Sequence, residues 1–217
     1  MHYSYIVPGA PTTLSSDVIS SSILSASWQA PSITNGIVTA YTLYYSISPL
    51  GNCTVSGMKQ LVPSIPGVTM YNATLTNLVP YSMYSLCVQA STRIGSGALT
   101  TAVIITTDPD SSSPPTNFTA VALNSTSIKL AWGYPDMPRG PIAGYQIMHN
   151  ISLPLTLEDI LTNETSQQIY IFSGLSPFKA YYFAVRAFSY LIRLGAVTQI
   201  NGSYSSLVVT TEEDGKT

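Results

Sequence analysis

Apolar and polar residues alternate along most of this chain. Leu24, Ala26 and Trp28 are separated by single serines, and Ile128, Leu130 and Trp132 repeat the spacing. Tyr41, Leu43 and Tyr45 alternate, as do Tyr145, Ile147 and His149. Tyr84, Leu86, Val88 and Ala90 match Tyr181, Phe183, Val185 and Ala187. A period of two with polar partners predicts strands buried on one face. No stretch supports a long helix, and LTLEDILTNE, residues 155–164, is the best short helical candidate.

The pattern occurs twice. Trp28, Gly36 and Tyr41 recur 104 residues later as Trp132, Gly140 and Tyr145. Leu78, Pro80 and Tyr84 recur 97 residues later as Leu175, Pro177 and Tyr181, and Thr106-Thr107 recur as Thr210-Thr211, back at 104. A fixed period means a repeated structural unit. Short strands at this density predict an all-β chain of two immunoglobulin-like β-sandwiches, about seven antiparallel strands each. The expected boundaries are 11–108 and 115–211, with linkers at 1–10, 109–114 and 212–217. The polar, Pro-bearing DPDSSSPP joins the two and is short enough to limit the angle between them.

The offset changes locate what each copy added. Domain 1 has seven extra residues between its third strand and its fifth, a segment that includes SPLGNCTVSG and Cys53. Domain 2 has seven extra residues before its last strand, in the apolar-bearing SYLIRLGAVTQINGSYSS.

Each copy resembles a fibronectin type III domain. The marks are Pro11 to Leu14 and Pro115 to Phe118 at the starts, Trp28 and Trp132 followed by Pro31 and Pro135, and LVPYSMY and LSPFKAY. The resemblance covers almost the whole chain. It implies that Trp28 and Trp132 are core, and that Tyr84 and Tyr181 are tyrosine corners whose hydroxyls return to the backbone upstream. Tandem domains of this kind occur in ectodomains of receptor-type tyrosine phosphatases, neural adhesion molecules, usherin-like proteins and receptor kinases. The resemblance therefore implies a non-catalytic extracellular segment of a cell-surface receptor or adhesion protein, which spaces domains and contacts a protein ligand or its own neighbours. A passive spacer and a cytokine-receptor-like ligand-binding module are the alternatives. The latter family carries W-S-x-W-S where this chain reads NGSYSS.

Composition narrows the setting. Charged residues are only 8%, with a net charge of −2, so no basic footprint for nucleic acid exists. The longest apolar runs fall far short of the ~20 residues a membrane span needs, so no direct membrane insertion is expected. MHYSYIVPGAP lacks the basic start and apolar core of a signal peptide, which suggests a piece of a longer plasma-membrane protein. Ser and Thr make up about a quarter of the chain, so chance would place about two sequons on its nine asparagines. Seven occur, at Asn52, Asn72, Asn117, Asn124, Asn150, Asn163 and Asn201, the pattern of an N-glycosylated, secreted surface.

Outside the cell, a lone pair of cysteines is most simply a disulfide between Cys53 and Cys87. Cys87 alternates with Leu86 and Val88, so it faces outward. The bond requires the domain 1 insertion to fold over the third strand, because Cα atoms two strands apart are beyond bridging range.

No catalytic constellation is visible, and no cofactor or metal is expected. His2 lies in the tail and His149 at a strand end. Glu158 and Asp159 are adjacent, and Glu212, Glu213 and Asp214 form a terminal charge run. The candidate interaction loop is therefore Leu191, Ile192, Arg193 and Leu194. It is expected as a longer hairpin with Leu191 and Leu194 covering the sheet end, as a segment folded onto the linker, or as an exposed partner contact. As the loop of a second domain, it is expected to point away from the first.

Overall fold

The structure is a computed structural model, which describes residues 6–48, 50–51, 53, 57–155, 159–165 and 167–215. The chain forms two compact units, residues 1–108 and 109–217. Both are built from strands, and no α-helix occurs among the described residues.

Unit 1 contains β1 (Thr12–Ser20), β2 (Ile23–Gln29), β3 (Val38–Ile47), β4 (Met58–Pro63), β5 (Met70–Leu75), β6 (Met83–Thr92), β7 (Ser96–Leu99) and β8 (Val103–Thr106). One sheet runs β1-β2-β5; the other runs β4-β3-β6-β7, with β8 also on β6. Every pairing is antiparallel. The alternation read from the sequence now has a direction. Leu24, Ala26 and Trp28 turn inward opposite Leu75, Ala73 and Tyr71, and meet Tyr41, Leu43, Leu86 and Val88 from the second sheet.

Unit 2 repeats the plan with β9 (Thr116–Asn124), β10 (Ser127–Gly133), β11 (Gly144–Asn150), β12 (Ile160–Thr165), β13 (Ile169–Phe172), β14 (Ala180–Arg193), β15 (Ala196–Asn201) and β16 (Ser205–Thr210). Its sheets are β13-β10-β9 and β12-β11-β14-β15, with β16 also on β14. The second strand pair differs from expectation. The second half of the helical candidate, 160–164, instead belongs to β12, which pairs with β11 through Tyr145↔Thr165 and Met148↔Ile160 with irregularities between them; residues 156–158 of the candidate lie outside the described residues. An open strand edge offers backbone partners to a short segment whose own helical pattern is weak, and pairing wins.

Both tryptophans are core residues, Trp28 within a Tyr41–Tyr71 cluster and Trp132 against Phe118 and Tyr145. Their indole Nε1 atoms are buried without a hydrogen-bond partner. Tyr84 and Tyr181 are buried too, and their hydroxyls accept from the backbone N–H of Val79 (2.9 Å) and Ser176 (2.8 Å).

The seven additional residues of domain 1 fall mostly elsewhere than around Cys53. Residues 48–57 join β3 to β4 and 151–159 join β11 to β12, so these connections are similar in length. The difference lies after β4, where 64–69 lead to β5, whereas β12 and β13 are separated by 166–168 only.

The segment expected to link the domains packs along unit 2. The N–H of Asp110 bonds to the Arg139 carbonyl and that of Ser113 to the Met137 carbonyl, both at 2.9 Å. On its other side Ser203 N–H donates to the Ser112 carbonyl (3.0 Å), and Ser111 Oγ to the Asn201 carbonyl (2.9 Å). Ser112 is buried, and a Cβ on Gly202 would collide with its Oγ, so only glycine lets these backbones approach. The lead into unit 1 does the same, with Gly97 against the Pro8 carbonyl.

Candidate interaction site

The apolar stretch of domain 2 is a projecting hairpin. β14 pairs with β11 as far as Phe188↔Gly144. Beyond that, among the described residues, it pairs with β15 alone, through Ser189↔Ile200, Leu191↔Thr198, Ile192↔Val197 and Arg193↔Ala196. Leu194 and Gly195 close the ribbon with φ of 48° and 81°. Two successive positive φ values are what a two-residue turn of type I′ requires.

Alternation divides the ribbon into two faces. Tyr190, Gln199, Ile192 and Val197 share one with Asn201, consistent with the 2.7 Å bond from Gln199 Nε2 to Asn201 Oδ1. Ile192 is 71% exposed, Val197 62%, and Leu194 is fully exposed at the tip. Leu191 is half-buried on the opposite face. The hairpin reading therefore holds for the strands but not for Leu194, which covers nothing. Asn201 and Gly202, at the hairpin base, lie against Ser111 and Ser112, so the ribbon leaves the pole at which the chain enters unit 2. The reason is topological: β14 runs toward the pole where β9 begins.

Cys53 and Cys87 are bonded, with Cα atoms 6.0 Å apart. The connection after β3 first crosses β6, where Ser48 N–H donates to the Met83 carbonyl (3.0 Å) and Ser85 Oγ to the Ser48 carbonyl (2.7 Å). Gly51 then lies beside Ala102 and Ile104, near β8. Cys87 faces outward, as its alternation requires, yet it is buried beneath this crossing. In unit 2, Ala184 stands at the matching position, and Leu153, Pro154 and Leu155 line a 540 Å³ cavity with Met148, Ala184, Tyr204 and Ser206.

The sequons occupy different environments. Asn72, Asn117, Asn124 and Asn201 are exposed. Asn150 is half-buried, donating from Nδ2 to Asp159 Oδ1 and accepting from Ile151 N–H, both at 2.7 Å. Asn163 lies in β12, and Asn52 falls outside the described residues. Glu158 and His2 also fall outside them. His149, next to the last residue of β11, proved more distinctive than its sequence suggested. The ring stacks on Phe172, Tyr181 and Phe183 at 5.2–5.8 Å, and its Nδ1 is buried without a partner. Burial pushes its pKa below the usual histidine value, and the nearby Asp159 opposes that in part. Among the described residues, no three His, Cys, Asp or Glu side chains converge to hold a metal ion. No helix among them is long and apolar enough to cross a membrane.

Two Greek-key-like sandwiches, each with a core tryptophan and a tyrosine corner, define a tandem pair of immunoglobulin-like β-modules. Comparison of the sequence with family models agrees, matching the fibronectin type III domain at residues 9–107 and 113–212. The chain belongs to the fibronectin type III family, in two copies. It is 31% identical over 84% of its length to fibronectin type III domain-containing protein 1 of Margaritifera margaritifera, covering 23% of that protein. It is 27% identical over 80% of its length to the tyrosine-protein phosphatase Lar of Drosophila melanogaster, and 30% over 78% to the cell adhesion molecule Dscam2 of the same species. The chain spans 8% of each of those two.

Proposed function

We propose that this chain is a non-catalytic extracellular segment of a cell-surface receptor or adhesion protein, and that it contacts a protein partner through the β14–β15 hairpin. The observation that carries the reading is Leu194. A bulky residue at positive φ costs ~1–2 kcal/mol, which glycine escapes and asparagine escapes in part, and here its side chain contributes no burial in return. Folding alone gives no reason for a leucine at this place, whereas a partner surface does. Ile192 and Val197 extend the apolar area along one face. The names of the similar proteins, a tyrosine-protein phosphatase and a cell adhesion molecule, fit the same reading, the second directly.

The extracellular setting rests on the sequon excess. The exposed Asn72, Asn117, Asn124 and Asn201 would carry glycans, and Asn150, whose amide is held by Asp159, would be occupied least. A glycan on Asn201 would lie on the apolar face at the hairpin base, ~13 Å along the strand from Val197. It would leave the tip free.

The test is a surface-display screen of the two-domain chain, secreted from animal cells, against a panel of cell-surface ectodomains. The expected result is a binder that loses at least tenfold affinity with Leu194→Asn or Ile192→Ser. A binder indifferent to both variants removes the hairpin from the proposal. No binder in the panel, with full adhesion by a parent receptor lacking these domains, leaves a passive spacer.

A further inference from the structure

The backbone of the domain 2 hairpin has an uncovered edge. The Gly202 N–H donates to the Ala187 carbonyl at 2.8 Å, so residues 187 and 202 form a hydrogen-bonded pair. Such pairs alternate along an antiparallel ladder. Ile200, Thr198 and Ala196 therefore bond inward to β14, while the N–H and C=O groups of Asn201, Gln199 and Val197 face away from it. The base of the hairpin agrees. On that outer side the Asn201 carbonyl accepts from Ser111 Oγ, and the Ser203 N–H donates to the Ser112 carbonyl. The strip at Ser111 and Ser112 thus covers the edge at its base and stops there. Further out, the backbone groups of Val197 and Gln199 on this side have no partner among the described residues.

Backbone groups in this arrangement are matched by another extended strand. A two-stranded ribbon is also marginal in water by itself, and further strands stabilise it. Several other edges are guarded. β4 carries Lys59 and Pro63, β1 carries Asp17 and two register breaks, and β9 and β12 carry the sequons at Asn117 and Asn163. The free part of β15, residues 196–200, reads AVTQI, with no charge, no proline and an unbroken register. Its layout is symmetric: Thr198 lies at the centre, with one outward-facing residue on each side.

We propose that two copies of this chain pair through β15, antiparallel, about a two-fold axis at Thr198. Val197 of each copy then exchanges both backbone hydrogen bonds with Gln199 of the other, and every outward group in the free stretch is satisfied. The axis stands perpendicular to the ribbon, so the same face of each copy stays on one side. Ile192 and Val197 of one copy fall in a row with Gln199 and Tyr190 of the other, and the exposed apolar positions join into one surface. Such pairing is isologous and closes at the dimer. A glycan on Asn201 would lie beyond the paired stretch, opposite Gly195 of the other copy, which has no side chain to meet it. The inference rests on the reading of the hairpin as an interaction site and names its partner.

The experiment is sedimentation velocity of the full chain, secreted from animal cells, over a dilution series, before and after enzymatic removal of glycans. A reversible monomer–dimer equilibrium is expected. Thr198→Lys and Thr198→Glu should each weaken the dimer at least tenfold, because like charges then face each other across the axis. Neither should change the thermal midpoint of the dilute monomer, since Thr198 is exposed. An equimolar mixture of the two variants should recover the dimer, which a damaged hairpin would not do. Monomer at every concentration in both preparations, a dimer indifferent to both variants, or a mixture that stays monomeric overturns the proposal. A monomer that still captures an ectodomain through Leu194 sinks this inference and leaves the hairpin reading standing. A Thr198-sensitive dimer that binds no ectodomain supports it and leaves the second copy as the hairpin's partner.

Discussion

The two domains place their additional residues in opposite ways. Domain 1 adds length between β4 and β5 and folds it back, tied to the Tyr71 hydroxyl, into a concave site. Domain 2 adds length between β14 and β16 and projects it as a convex ribbon with an exposed apolar tip. The cores meanwhile keep the same tryptophan, the same corner tyrosine and the same strand order. The difference teaches that packing is duplicated while the ends of the sandwiches are free to diverge, as expected when a rigid scaffold carries loops.

The comparison can be broken most forcefully at the disulfide. Replacing Cys53 and Cys87 by serine should lower domain 1 stability by about 2–4 kcal/mol, the usual range for a native bond, here with a sequence separation of 34. Domain 2 should not respond. Each domain holds one tryptophan, so Trp132→Phe isolates the fluorescence of domain 1 during urea unfolding and Trp28→Phe that of domain 2. A smaller effect, about 1–2 kcal/mol, is expected for Tyr71→Phe, which removes the hydroxyl that ties the middle of the 64–69 segment, while the backbone bonds at Ser64 and Thr69 remain. Tyr145→Phe, which loses only the Gln168 bond, should cost less.

Acid separates the domains in another way. His149 is held neutral by burial, so its folded pKa lies below the ordinary 6.5. The unfolded chain then binds the proton more readily, and domain 2 stability should be full above pH 6.5 and decline as pH falls below it toward the folded value. Unfolding curves across pH 5–8 would show this, and His149→Phe should flatten them. A flat profile in the native chain would contradict the buried ring. The smallest effect is one of gain. Leu194→Asn should raise domain 2 stability by up to ~1 kcal/mol, since asparagine tolerates positive φ, while partner binding falls.

Much of this architecture was legible in the residues themselves. Alternation at Leu24–Trp28 and Tyr181–Ala187 marked the buried faces, and the recurrence of LxPxxxY located both corners. Segment 160–165 was not legible, because its strand is defined by the edge of β11 rather than by its own pattern. The position of the extra length in domain 1 was obscured for a related reason: offsets report how many residues intervene, not which side of β4 they occupy. The hairpin was visible as an insertion, but its direction depends on how β14 lies relative to β9, which no local pattern records. The groove between segment 64–69 and the turn before β3 was not legible either, because Ile37, Ile65 and Val68 are scattered in sequence and meet only through folding.

The glycine notch filled by Ser112 bears on how such modules can be recombined. A graft cut at Pro115, where the recognisable motif begins, would leave behind the residues that cover Gly202 and accept from Ser203. The recipient chain would have to supply an equivalent extended strip in the same register. The transferable cassette therefore starts at Pro109, and the residues just upstream of each module travel with it as part of its inheritance.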